Sequence, residues 1–116
     1  MAHQFPRVAW ADGTTLYEVN LRQYTAAGSF AAFSQHLPRL KNMGIGCLWF
    51  MPFTPISLVK RQGSLGSYYA CSSYTQVGEE FGTLADFKAL VSQAHHLGMK
   101  VIMDWVANHT GADHEW

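Results

Sequence analysis

Residues 100–110 read Lys100-Val101-Ile102-Met103-Asp104-Trp105-Val106-Ala107-Asn108-His109-Thr110. The apolar, partly β-branched beginning of this stretch suits a strand, and Lys100 to Val106 is predicted as one. Asp104 stands inside that run, and an amide and an imidazole follow it at Asn108 and His109. The preceding segment has the marks of a helix. Thr83 and Asp86 are spaced as a capping box, with Asp in place of the more usual Glu or Gln. Leu84, Phe87, Leu90, Val91 and Ala94 recur at three- and four-residue spacing and form one apolar face. Gly98 stands where a helix would close.

The same pattern occurs once more towards the N-terminus. Ile45 to Met51 is a nearly continuous apolar run, as in a strand buried on both faces, and Pro52 and Pro55 end it. Before it, Ser29 can cap a helix whose apolar face is Phe30, Phe33, Leu37 and Leu40. Pro38 falls within that helix and predicts a kink or a restart. Gly44 stands where a left-handed closing residue belongs. Residues 14–21 read as a further strand.

The predicted order is therefore strand, helix, strand, helix, strand. Each crossover is long enough to return parallel, which is α/β logic with a parallel sheet. A doubly wound sheet and an eight-stranded barrel begin alike. Neither strand-to-helix turn carries a G-x-G-x-x-G or Walker loop, which weighs against the nucleotide-binding version. In a barrel the ligand-facing loops would be residues 22–28, 52–82 and 107–116. The long connection at residues 56–80, rich in Gly, Ser and Tyr, is of the kind that is often functional.

Composition narrows the function. With 116 residues the chain fits at most one small domain. Its formal net charge is zero, so nothing drives phosphate-dominated nucleic-acid binding, and no basic amphipathic stretch suits a membrane surface. Residues 45–53 are far too short an apolar run to span a bilayer. The first residues, Met-Ala-His-Gln-Phe-Pro-Arg, lack a secretory pattern. Cys47 reads as a small buried hydrophobe and Cys71 as half exposed. Two cysteines are too few for a disulfide framework, which mildly favours a reducing, cytoplasmic setting. No His pair has a zinc-site spacing.

Read from the residues alone, Asp104, Asn108 and His109 have two meanings. They can gather at a strand end to bind hydroxyl-rich ligands, or Asp104 can cap a loop while Asn108 makes a turn. A resemblance favours the first. Asp-x-x-x-Asn-His directly after an apolar strand is similar to the first conserved region of glycoside hydrolase family 13, the α-amylase family. Tyr17-Glu18-Val19-Asn20 with Arg22-Gln23-Tyr24 resembles that family's first strand and loop. Leu48-Trp49-Phe50-Met51-Pro52 resembles its second strand end. Phe81-Gly82-Thr83 with Asp86-Phe87 resembles the start of its second helix, and His96-Leu97-Gly98-Met99-Lys100 its approach to the third strand. The likeness covers residues 10–116 in order.

The resemblance implies a partial (β/α)8 TIM barrel, with residues 1–116 as an N-terminal fragment holding the first three strands and two helices. It implies that His109 hydrogen-bonds a sugar ring at the cleavage subsite and that Tyr69 stacks on the same ring. It implies that Asp104 supports the active-site floor, and that Asn108 is a calcium ligand in members that bind calcium. The implied partner is an α-glucan or maltooligosaccharide. The family's Gly-Tyr-x-x-x-Asp-Tyr pattern is altered here to Ser67-Tyr68-Tyr69 and Ser73-Tyr74, so aligning Tyr69 rather than Tyr68 is a choice. Gly78-Glu79 replaces a common Asp-Pro or Asn-Pro.

Family members are retaining glycosidases that need two carboxylates roughly 5–5.5 Å apart, supplied in the family by later strands. No catalytic residue is therefore expected in this chain, and the fragment is expected to be inactive alone. Glu79, Glu80, Asp113 and Glu115 are expected to be solvated turn residues, and Trp49 and Trp105 to belong to strand cores. The open sheet edge is expected to promote self-association. Hydrolases, transglycosylases and isomerases share these early motifs, which do not choose among them. The alternative from another class is a non-catalytic carbohydrate-binding module that uses Trp10, Trp49, Tyr68, Tyr69, Tyr74 and Trp105 as aromatic platforms.

Overall fold

The structure is a computed structural model that describes residues 5–116; Met1–Gln4, part of the stretch read above for a secretory pattern, lie outside the described residues. Strands β1 (Leu16–Val19), β2 (Cys47–Phe50) and β3 (Lys100–Met103) form one parallel sheet in the order β1-β2-β3. The register runs from Leu16, Cys47 and Lys100 at one end to Val19, Phe50 and Met103 at the other. The first strand is shorter than the predicted 14–21, and a single helical turn, α1 (Leu21–Tyr24), follows it at once, taking the last predicted strand residue and the start of the predicted loop. Helices α2 (Phe30–Ser34) and α3 (Leu37–Asn42) then cross to β2, and α4 (Leu84–His96) crosses to β3.

Local chemistry accounts for the boundaries. The helix predicted from Phe30 divides because Pro38 has no N–H and is tolerated only in a first turn, which is where it sits in α3. Ser29 Oγ accepts from the Ala32 N–H at 3.3 Å and starts α2. The capping box of α4 is reciprocal: the Asp86 N–H donates to Thr83 Oγ1 at 3.2 Å and the Thr83 N–H donates to Asp86 Oδ2 at 2.7 Å. Gly82 precedes it at φ 117°, where a Cβ would lie 2.8 Å from Asp86 Oδ2. Leu84 is exposed, not on the buried face with Leu90 and Ala94. At the first position of α4 its Cβ points back past the helix start, beyond the reach of the core.

The core lies on one side of the sheet. Val19, Leu48 and Phe50 meet Phe30, Phe33, Leu37 and Leu40 from the first crossover and Leu90 and Ala94 from the second. Phe33 meets Phe50 edge-on at 5.2 Å, and Phe30 meets Phe53 at 5.1 Å. Both crossovers thus share one face, and the strands stand in chain order. A doubly wound sheet would reverse its strand order and cover both faces, whereas a barrel adds strands in sequence with every helix outside. The arrangement is the beginning of a (β/α)8 barrel. Alternation places Leu16, Glu18, Trp49 and Ile102 on the opposite face, which carries no helix.

The connection from β2 to α4 is ordered by its own contacts. Ile56 and Cys71 form an antiparallel bridge. The Arg61 guanidinium donates to the carbonyls of Ser57 (2.9 Å), Ile56 (3.0 Å) and Ser64 (3.3 Å). The bridge carries Cys71 inward, so this cysteine is buried rather than half exposed.

Candidate functional site

Because the strands are in register, Asn20, Met51 and Asp104 stand side by side just past their C-terminal ends. The ladder continues across this row: the Met51 N–H donates to the Val19 carbonyl at 3.0 Å and the Asp104 N–H to the Phe50 carbonyl at 2.9 Å. The long connection lays two adjacent tyrosines over it. Tyr68 Oη donates to Asn20 Oδ1 at 3.1 Å, and Tyr69 Oη donates to Asp104 Oδ2 at 3.2 Å. The two candidates that the sequence could not separate therefore occupy opposite ends of the row, and it is Tyr69 that meets Asp104.

The Tyr69 phenol is pushed above its ordinary value, first by burial, then by the charge and hydrogen bond of Asp104 and the charge of Glu18. It keeps its proton at neutral pH and donates it to Asp104. One oxygen of Asp104 is thus occupied, and among the described residues no donor reaches the other. The arrangement offers a ligand an acceptor oxygen beside a part-buried aromatic ring. That combination suits a molecule with hydroxyls and an apolar C–H face.

Asn108 and His109 are exposed on the loop after β3, and among the described residues neither side chain makes a hydrogen bond. That loop is held through its backbone. Tyr74 Oη lies 2.7 Å from the Val106 carbonyl and 3.2 Å from the His109 carbonyl. The Tyr74 ring packs against His114 (4.8 Å), Trp116 (5.4 Å) and Trp105 (5.9 Å). Trp105 is 68% exposed and Trp49 half-buried, so Trp105 does not belong to a strand core. The reason is that β3 ends at Met103, two residues before Trp105 and shorter than the run Lys100–Val106 suggested.

All four acids expected to be solvated are exposed, and three of them also hold the loops together. Glu80 pairs with Arg22. Asp113 Oδ2 accepts from the Leu58 and Val59 N–H groups at 2.9 and 3.2 Å. Glu115 accepts from the buried Ser73 hydroxyl at 2.6 Å. Calcium takes roughly 6–8 oxygen ligands. Asn108 offers one, and no group of three or more His, Cys, Asp or Glu suited to a metal lies among the described residues. The residues present do not by themselves fit the ion.

Sequence reading passed over Asn20, Arg22 and Glu80 as working parts, and took Tyr74 only as an aromatic platform of the alternative reading. The contacts that give them work join residues 32 to 58 positions apart, and no local spacing encodes them. The one available signal was the density of polar aromatic residues in the connection from β2 to α4.

Comparison with known proteins agrees with this geometry. The family described as "Alpha amylase, catalytic domain" matches residues 9–116. An α-glucosidase of Pediococcus pentosaceus is 33% identical in an alignment 112 residues long that covers 92% of this chain and 19% of that protein. A trehalose synthase of Thermus thermophilus is 37% identical, over 92% of this chain and 11% of that protein. The crystal structure of an α-amylase from Lactobacillus plantarum superposes with a TM-score of 0.86 at 48% identity, covering 88% of this chain and 24% of that one. The chain thus spans a fifth or less of the length of these two curated relatives. With motifs, strand order and one-sided helices in agreement, the chain belongs to the α-amylase catalytic-domain family.

Proposed function

We propose that this chain contributes part of the sugar-contacting face of a retaining, α-glucan-active enzyme of the α-amylase family, hydrolase or transglycosylase. The observation that carries the reading is the Tyr69–Asp104 contact at the C-terminal strand ends, the end of a barrel where ligands bind. In this reading Tyr69 presents its ring to the apolar face of a glucose unit. Asp104, steadied by Tyr69, supports the floor, and the exposed His109 imidazole hydrogen-bonds the sugar. Glu80, Asp113 and Glu115 are engaged in loop contacts and are assigned no chemical step. No nucleophile or proton donor is assigned to this chain, and by itself it is expected to release no reducing sugar from maltooligosaccharide. Asn108 is proposed as a calcium ligand only where donors beyond the described residues complete the set.

A second reading, glycan binding without turnover, is supported by the exposure of Trp105 and Trp116 on either side of Tyr74. Titrating isotope-labelled chain with maltotriose separates the two. The first predicts shifts at the Tyr69 and His109 rings and, for Tyr69→Ala, affinity weakened about five- to tenfold, the order of an aromatic contact of ~1 kcal/mol. Perturbation confined to Trp105 and Trp116, or none at all, would remove it.

A further inference from the structure

Tyr69 is tethered from the far side of the row. Arg22, in α1, places its guanidinium carbon 4.4 Å from the centroid of the Tyr68 ring. The same guanidinium forks onto Glu80, with Nε donating to Oε2 at 2.8 Å and Nη2 to Oε1. The Arg22 side chain retains 16% exposure and that of Glu80 40%, so the pair is partly shielded from water. Tyr68 is thus held by its face through Arg22 and by its hydroxyl through Asn20.

Neither anchor is loose. Asn20 Oδ1 also accepts from the Gln23 N–H at 3.4 Å, so the residue that receives Tyr68 is the cap of α1. The backbone of Arg22 is wedged against Gly28. That glycine sits at φ 60°, and a Cβ there would lie 2.8 Å from the Arg22 carbonyl oxygen. Arg22, Glu80 and Asn20 therefore form a fixed seat for Tyr68, and Tyr69 is its immediate neighbour in the chain.

We propose that Arg22 is a positioning residue: with Glu80 it clamps Tyr68, and through that clamp it holds Tyr69 against Asp104. It touches neither sugar nor reacting atoms. The proposal rests on the reading of Tyr69 as the sugar-stacking ring, but its test does not require sugar.

The test follows the Tyr69 phenol in the full chain labelled with 13C at the tyrosine ζ carbon, with resonances assigned by single Tyr→Phe substitutions. In Arg22→Ala, Tyr69 is expected to lose its contact with Asp104 and to titrate lower, towards the ordinary value near 10. Its shift at neutral pH should move towards that of a free tyrosine, while the Tyr74 resonance stays in place. Arg22→Lys keeps the charge but loses the fork and the planar stack, so it should follow Arg22→Ala and not the parent. Glu80→Gln should do the same to a smaller degree. If Arg22→Ala fails to fold, Arg22→Lys and Glu80→Gln carry the test with the same readout. An unmoved Tyr69 resonance in these folded variants would overturn the proposal, as would equal movement of Tyr69 and Tyr74. An effect on Tyr69 with no maltotriose binding in the parent would leave the clamp standing and remove the sugar reading alone.

Discussion

Single residues in this chain act mainly by holding other residues. Tyr74 shows it well, because one hydroxyl stands within bonding distance of two carbonyls on the loop that carries His109. Replacing it by Phe keeps the ring among Trp105, His114 and Trp116 and removes only the donor. Tyr74→Phe is expected to cost about 1 kcal/mol in chemical denaturation, the usual worth of such a bond. It should also speed amide exchange at residues 106–110 while leaving the β1–β2 ladder unchanged. Uniform acceleration over the whole chain would show that the bond is not local to this loop. Ser73 makes a similar point. It stands where the family pattern often has Asp, and its buried hydroxyl meets the Glu115 carboxylate instead, so a carboxylate still reaches this position from another part of the chain.

Elements are set by their ends. α4 owes its start to Thr83 and Asp86, and the Asp86 carboxyl is held below its ordinary range chiefly by the Thr83 hydroxyl, then by the Thr83 N–H. Thr83→Ala is expected to cost about 1 kcal/mol in urea unfolding. A carboxyl depressed in the folded state stabilises it above its unfolded value, 3.8 for Asp86, and that stabilisation is lost as pH falls through the lower folded value. Asp113 behaves alike, held down first by Ser57 and then by the Leu58 and Val59 N–H groups. Stability of the parent should therefore fall as pH drops below about 4, and less steeply in Thr83→Ala. Identical acid limbs in the two proteins would exclude the cap as a source of this dependence.

At the scale of the whole molecule the structure is a slab. It measures 47 × 42 × 23 Å with a radius of gyration of 15.9 Å, against about 13 Å for a compact domain of this length. Helices cover one face of the sheet, while Leu16, Ile102 and Met103 remain exposed at its edges and open face. The edge strands β1 and β3 also present unpaired backbone groups. The 116-residue chain is expected to self-associate in a concentration-dependent way in analytical ultracentrifugation, and Ile102→Lys to reduce that association. A monomer at all concentrations with a sharp cooperative melt would refute this.

Much of the fold was legible in the sequence because it is written in local chemistry. Periodicity marked the apolar faces of α2, α3 and α4, Pro38 marked the break between α2 and α3, Thr83 and Asp86 marked a cap, and Asp104 with Asn108 and His109 marked the family. These features depend on neighbours within one or two turns or on spacing along one strand. Tertiary structure alone decided that Tyr69 and not Tyr68 meets Asp104, that Arg22 and Glu80 pair across 58 positions, that Cys71 is buried and that Trp105 is not. Those outcomes depend on how a long, aperiodic connection folds back over the strand ends. Closing such a loop brings together residues whose separation along the chain carries no periodic trace, so their partners exist only in three dimensions.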